Sequence, residues 1–419
     1  MSHNTWRRML LEDVIDVNPS RTIPREKTAP HISMDALQPF TREIHSFELK
    51  EFSGSGSKFQ NSDTLLARIT PCLENGKTAF VCNLPEGIIG HGSTEFIVLS
   101  GKKGVSDDLF VYYLARDPEF RNYAIQHMEG STGRQRVPAN AIALLTIDLP
   151  PLPKQKTITS ILGALDDKIE LNRKMNEPLE AMARAIFKSW FVDFNPIPGL
   201  GPHKEWQDSP LGKIPKGWKV TSIGDVVTVV GGSTPSTTEP AYWESGTIHW
   251  ATPKDLSSLS SPVLLDTERH ITEKGLEQIS SGLLPKGTVL LSSHAPIGYL
   301  AITEIPVAIN QGFIAMICEQ ELPNHYILQW TKANMDIIEG RANGTTFLEV
   351  SKTNFRPIPI VIPPKNILHQ FQLHAESTHK QIATNLNQAH TLATIRNALL
   401  PELLSGKIRV KDMERLAEM

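Results

Sequence analysis

Only three cysteines, Cys72, Cys82 and Cys318, occur in 419 residues, and none forms a CxxC pair or lies at zinc spacing from a histidine. A disulfide framework and a cysteine-based zinc site are thereby excluded, and the thiols read as those of a reducing, cytoplasmic compartment. No run of 18 apolar residues exists, which rules out a helical membrane span. The opening segment MSHNTWRRML has no apolar stretch behind its arginine pair, so no signal peptide is expected. A basic excess is missing too: the net charge is −3. That argues against a stand-alone nucleic-acid binder but leaves room for local charge or charge supplied by a partner.

Chemistry-bearing motifs are likewise absent. There is no HExxH and no GxSxG. Gly76-Lys77-Thr78 has the end of a phosphate-binding loop, but the glycine needed five positions earlier is Pro71. Asp193-Phe194-Asn195-Pro196-Ile197-Pro198 departs from the Asn-Pro-Pro-aromatic motif of adenine methyltransferases at its second proline and its aromatic, and reads as a proline-rich helix exit. The 14 histidines are scattered. No catalytic residue, no metal site and no cofactor is expected on this chain.

What the chain does have is a duplication. Pro151 falls on Pro364, Lys168-Ile169 on Gln381-Ile382 and Asn172 on Asn385, all about 213 residues apart. At nearby offsets Trp6 pairs with Trp218, Asp63–Leu66 with Gly287–Leu290, Thr94–Ile97 with Gln311–Ile314, and Gly130-Ser131-Thr132 with Gly344-Thr345-Thr346. Solenoid repeats run at roughly 20–50 residues, so this is a whole domain plus a helix, copied once. Two copies imply two similar sites related by a pseudo-two-fold, which suits a two-part target such as half-sites on a duplex. A composition of 40% hydrophobic and 21% charged residues is ordinary for globular domains with their own cores.

Residues 1–153 form a first mixed α+β domain, with Phe96–Leu99 and Ile142–Leu145 as buried strands and Asp108–Arg116 as a helix. A helical segment covers 154–194, followed by a proline- and glycine-rich connector from Asn195. Residues 195–363 hold this linker and the second mixed domain, with strands at Val226–Val230, Val289–Leu291 and Ile314–Ile317; a second helical segment and the tail cover 364–419, with a stop near Gly406. Pro178 should kink or interrupt the first helix.

Both helices carry heptads. One seam of the first reads Ile158, Leu165, Asn172, Leu179, Ile186 and the other Ile161, Lys168, Met175, Met182, Ser189. The second helix repeats this as Phe371, Thr378, Asn385, Leu392, Leu399 and His374, Gln381, Gln388, Ile395, Glu402. The pattern fits two helices paired as a coiled coil, the alternative being two separate core helices. A pseudo-two-fold requires an antiparallel pair, which would bring Asn172 and Asn385 onto facing surfaces, where a polar seam residue can fix register.

The sequence resembles the specificity subunit of type I restriction-modification enzymes over nearly its full length. The resemblance rests on Phe187-Lys188-Ser189-Trp190-Phe191-Val192-Asp193-Phe194, Leu400–Ile408, Gly217-Trp218, Gly232–Ser236 and Asn310-Gln311-Gly312-Phe313, in that family's order within a duplication. It implies two target recognition domains, each reading half of a split sequence in double-stranded DNA, separated by two helices paired antiparallel as a spacer. It also implies two modification subunits as partners, carrying S-adenosylmethionine and methylating adenine, and room for a translocating restriction subunit. A helix of roughly 35 residues spans about 50 Å, enough to bridge major grooves about 34 Å apart. The rival reading is a coiled-coil adaptor whose mixed domains bind protein or glycan.

Base edges are read by exposed loop donors, while phosphates position the protein. In the first domain the candidates are Arg68 and Thr70, and the loop residues Ser131, Thr132, Arg134, Gln135 and Arg136. In the second they are Ser293, His294, Arg341, Asn343, Thr345 and Thr346, with Lys352 and Arg356 for phosphates. Solvated turns would carry similar residues. The aromatic cluster Phe187, Trp190, Phe191 and Phe194 suits either a methyltransferase face or burial against the neighbouring domain.

Overall fold

The computed structural model describes residues 6–294, 296–344 and 348–408. The chain divides into two units, Met1–Glu170 with His390–Met419 and Leu171–Ala389. Each contains one mixed domain and a stretch of both long helices.

In the first unit the central sheet has the antiparallel order Ile15–Val17, Phe96–Gly101, Thr64–Ala67, Thr78–Phe80. Every residue of Thr64–Ala67 is buried because the strand is covered on both faces. Leu66, Ile97 and Leu99 point to a core shared with Phe110, Tyr113 and Ile142. Leu65, Phe96 and Val98 point the other way, to Ile32 and Phe59. These last come from a second sheet ordered Glu48–Glu51, Thr28–Ile32, Gly90–Gly92, Ser57–Phe59. The helix Asp108–Arg116 starts where the Asp107 carboxylate accepts from the Phe110 amide at 3.0 Å. Residues Ile142 to Leu145, expected as a strand, instead straddle a short helix, Ala139–Ala143, and its exit, and the strand is Thr146–Leu149. That strand pairs antiparallel with Arg7–Leu10.

The second unit repeats the scheme. Lys219–Ser222 pairs antiparallel with Pro359–Ile362. The central sheet runs Thr228–Val230, Phe313–Ile317, Val289–Ser292, Leu300–Thr303, Val263–Leu264. A second sheet orders Arg269–Ile271, Ile248–Ala251 and Ala308–Ile309, and its Ile248–Ala251/Ala308–Ile309 pairing is parallel, as is Thr28–Ile32/Gly90–Gly92 in the first unit. Duplication is thus visible in strand order and strand direction. Gly76-Lys77-Thr78 leads into the strand Thr78–Phe80 rather than a helix, so it makes no phosphate cradle.

The long helices are Leu152–Phe187, which widens into a π-turn at Lys188–Val192, and Lys365–Leu404, followed by Gly406 at φ 72°. The first passes through Pro178 without interruption. In the first unit Ile158 and Leu162 share a core with Leu400 and Leu403, and Asp166 pairs with Arg396. In the second unit Phe187 and Phe191 pack edge-to-face against Phe371 with centroids 6.0 and 5.1 Å apart, and Asn172 meets Asn385. Residue numbers rise along one helix as they fall along the other, so the segments are antiparallel in each unit.

The heptad companion positions need correction. Met175 and Met182 are 39% and 46% exposed, and His374, Gln381, Gln388 and Ile395 are exposed as well. The buried series lies one residue further on: Leu162, Asn176, Ala183 and Trp190, then Ala375, Ile382, Arg396 and Leu403. Ile158-type positions are followed four residues later, not three, by their partners. Lys168 and its kin therefore flank the seam instead of filling it.

The seam is polar at its joints. In the second unit Asn172 donates through Nδ2 to the Asn385 carbonyl at 3.2 Å and to Gln388 Oε1 at 2.9 Å, while Asn385 Nδ2 donates to Asn176 Oδ1 at 2.8 Å. In the first, the Arg396 guanidinium donates to the Asp166 carboxylate, whose other oxygen accepts from Tyr113 Oη at 2.6 Å. Burial, with Asp166 alongside, pushes the Tyr113 phenol well up, which keeps it a donor. Asp166 and Arg396 are each 3% exposed. Arg396→Ala leaves that carboxylate buried without its cation, and should cost about 3–5 kcal/mol in denaturant unfolding of the first unit. Arg396→Lys should recover part of this.

Candidate functional site

The first unit's candidate loop is a hairpin stitched to the end of a core strand. Glu129 and Arg136 exchange backbone hydrogen bonds at 2.9 Å, the Thr70 amide donates to the Gln135 carbonyl at 3.0 Å, and the Val137 amide donates to the Arg68 carbonyl at 2.9 Å. The two sequence-distant groups of candidates, Arg68 with Thr70 and residues 131–136, therefore form one surface. Gly130 and Gly133 turn the tip at φ 116° and 82°, a region that suits glycine. Ser131, Thr132 and Arg134 are exposed there, and Gln135 is half-buried.

Arg136 occupies a different role from the one expected. Its Nε lies 2.9–3.0 Å from both Glu95 carboxylate oxygens, Nη2 donates to the same carboxylate at 2.8 Å, and Nη1 donates to the Arg134 carbonyl at 3.2 Å. Glu95 holds the guanidinium firmly protonated. The fork that would grip a guanine edge is engaged in bracing the loop from below. Thr70 is similarly occupied, its hydroxyl lying 3.1 Å from Glu74 Oε1.

Sequence reading missed the groove beside this hairpin. Asn18, Ser20, Arg21, Gly56, Lys58 and Arg68 line an open groove of about 400 Å³. Arg21 is anchored to Asp63 at 2.7 Å, whose carboxyl burial pushes upward in pKa against the pull of that arginine. Arg68 Nε is buried without a hydrogen-bond partner among the described residues. With Arg21 paired to Asp63, Lys58 and Arg68 give this groove the local positive charge that the net charge hides. They come from segments far apart in sequence, and no spacing rule connects them.

The second unit carries the same hairpin. Asn343 and Glu349 exchange backbone bonds at 2.9 Å, and the Val350 amide donates to the Ser293 carbonyl at 3.0 Å. His294 bridges Glu349 as Ile69 bridges Arg136. By these bonds, and because the Arg68 amide donates to the Glu95 carbonyl at 3.0 Å as the Ser293 amide does to the Gly312 carbonyl at 2.8 Å, Ser293 stands where the first unit has Arg68, Glu349 where it has Arg136, and Gly312 where it has Glu95. Thr345 and Thr346 lie outside the described residues. His294 is half-buried and Asn343 exposed at this edge.

Three further expectations change here. Ser293 is 2% exposed and serves the strand ladder, so it offers no reading group. Arg341 and Asn354 hold each other through backbone carbonyls at 3.3 and 3.1 Å. Arg356 donates to the Val229 carbonyl at 2.8 Å, pinning an edge strand rather than awaiting a phosphate. Lys352 remains exposed, lying over Gly231.

The aromatic cluster is core. Phe187, Trp190 and Phe191 are 3%, 7% and 4% exposed and pack with Trp218, Tyr326 and Phe371. Phe194, at φ 52°, rests half-buried on Trp206 and Trp218. These rings seat the helix end in the second unit and are not a surface for a partner. The helix periodicity alone could not tell the two apart, since both need apolar residues.

A family model described as the type I restriction modification DNA specificity domain matches residues 4–181 and 215–404. The chain belongs to that family, whose members are the non-catalytic, specificity-giving components of type I restriction-modification systems. It is similar to the type I restriction enzyme HindI specificity subunit of Haemophilus influenzae, with 24% identity across 86% of this chain and 90% of that protein. It is also similar to the MjaIX specificity subunit of Methanocaldococcus jannaschii, with 40% identity over 161 residues, 38% of this chain and 37% of that one. The fold is shared with the S subunit of a type I system from M. genitalium, at a TM-score of 0.53 and 13% identity, covering 96% and 98% of the two chains. Among the described residues no helix is long and apolar enough to cross a membrane.

Glu95→Gln should loosen the hairpin selectively. Amide exchange at residues 130–136 is expected to accelerate while the global unfolding free energy barely moves. Unchanged exchange there would show that the Arg136 brace is dispensable.

Proposed function

We propose that each unit presents its hairpin to one half of a bipartite sequence in double-stranded DNA. The observation that carries this reading is the matched pair of hairpins with unlike chemistry at equivalent positions: Arg68, Arg136 and Glu95 against Ser293, Glu349 and Gly312. Equal scaffolds with unequal side chains are what two different half-sites require. In the first unit Arg134, with Gln135, Ser131 and Thr132, supplies base-edge donors, and the groove cations Lys58 and Arg68 hold phosphates. In the second, His294, Asn343, Thr345 and Thr346 read bases, with Lys352 on the backbone. Asn172 and Asn385 keep the helices in register.

The proposal extends to the assembly. Two modification subunits dock on this chain, bind S-adenosylmethionine and methylate adenine, and a restriction subunit can join them. The helical segments offer exposed apolar side chains for that docking in place of the buried aromatic cluster, among them Leu171, Met175 and Met182 on the first helix and Leu373 and Ile395 on the second. Placement in the cytoplasm, where the DNA and the partners are, follows from the same reading.

In the reconstituted complex, Arg134→Ala should weaken recognition of one half-site by about 1–3 kcal/mol and relax its sequence preference. Asn343→Ala should act on the other half only. Binding assays with each half-site mutated in turn separate the two, and a loss spread evenly over both halves would sink the assignment. Lys352→Ala should weaken all sequences alike and lower the salt slope by about one. The isolated chain should transfer no methyl group from S-adenosylmethionine to DNA, and labelled methyl incorporation by it alone would overturn its non-catalytic role.

A further inference from the structure

The second unit gathers a side-chain cluster that no DNA-reading role uses. His249 and His270 are direct partners across the antiparallel strands Ile248–Ala251 and Arg269–Ile271. Their neighbours Trp250 and Ile271 turn into a small core, where Arg269 stacks 3.6 Å above Trp243. Both imidazoles are thereby left together on the opposite face, and the turn before Arg269 brings Asp266 to them. His249 Nδ1 lies 3.0 Å from His270 Nε2 and 3.2 Å from Asp266 Oδ1, and His270 Nε2 lies 3.7 Å from the same oxygen.

We propose that His249, Asp266 and His270 bind a divalent transition-metal ion of the zinc class. Ligands at bonds of about 2.0–2.1 Å around a tetrahedral zinc stand about 3.3 Å apart, within the range of the observed separations, 3.0 to 3.7 Å. Two imidazole nitrogens and one carboxylate oxygen suit zinc, cobalt or nickel better than magnesium or calcium. Hydrogen bonding serves this triangle poorly: a proton on one ring nitrogen can point fully at one neighbour, whereas a cation satisfies all three atoms. Asp266 is pre-set, its Oδ1 accepting from the Thr267 amide at 2.7 Å. Side-chain exposures of 27%, 32% and 61% leave a fourth position open to water or an outside donor. The ion staples the edge strand Arg269–Ile271, its preceding turn and the strand Ile248–Ala251.

The test uses the full chain without a histidine tag, stripped with a chelator and titrated with zinc by calorimetry and with cobalt by visible absorbance. One equivalent should bind, with d–d bands of a tetrahedral cobalt complex, and with a rise in melting temperature reversed by chelator. His249→Ala and His270→Ala should each lower affinity about tenfold or more while melting like the stripped wild type. Should either histidine variant misfold, Asp266→Asn decides, because that side chain is mostly exposed and its loss leaves packing intact. Absence of stoichiometric binding by the wild type, or unchanged affinity in Asp266→Asn, would overturn the proposal.

Discussion

Antiparallel pairing of two helical segments is the constraint on which each mixed domain depends. Apolar residues alone would pack in several registers, since a slide by one heptad still buries leucines. Polar groups remove that freedom. In the first unit a slide would strand Asp166, Arg396 and Tyr113 in the core, where an unpaired charge costs several kcal/mol. In the second it would break the Asn172, Asn176 and Asn385 amide contacts. These groups add little net stability over hydrophobic substitutes. What they contribute is one alignment of the paired helical segments within each unit.

On this frame the duplicated hairpins hang by backbone hydrogen bonds. The bonds of Thr70, Arg136 and Val137, like those of Asn343, Glu349 and Val350, use main-chain amides and carbonyls that any non-proline residue provides. The tip of the first hairpin is therefore free to vary without loosening its attachment. The first unit adds an ionic brace between Arg136 and Glu95 that the second, with Glu349 and Gly312, cannot form.

Much of this was legible in the sequence. The duplication, the helix Asp108–Arg116, the strand cores at Phe96 and Ile314 and the facing asparagines follow from offsets and periodicity. The errors have identifiable causes. Periodicity misplaces the second seam by one residue, because Met175 and Met182 fit a coiled-coil pattern as well as Asn176 and Ala183 do and are the more hydrophobic. Sequence alone makes Arg136 and Ser293 look like readers, because composition cannot show that Glu95 engages one and the sheet buries the other. The groove cations Arg21 and Lys58 escaped notice because they converge only through tertiary structure. His249 and His270 escaped for the same reason, being 21 residues apart and adjacent only across a strand pair.

The discontinuity of the first unit has a consequence for how the chain is made. Its core includes Leu400 and Leu403, and its buried Asp166 waits for Arg396. Arg396, Leu400 and Leu403 all emerge from the ribosome after the whole of Leu171–Ala389. The second unit is one continuous stretch and can close as it is synthesised, whereas the first must keep an apolar face open until then. Contacts of such long sequence separation are slow to form and leave sticky surface exposed meanwhile. The vulnerable interval in this protein's life is thus the time between the synthesis of its first domain and that of its last helix, when a chaperone has most to protect.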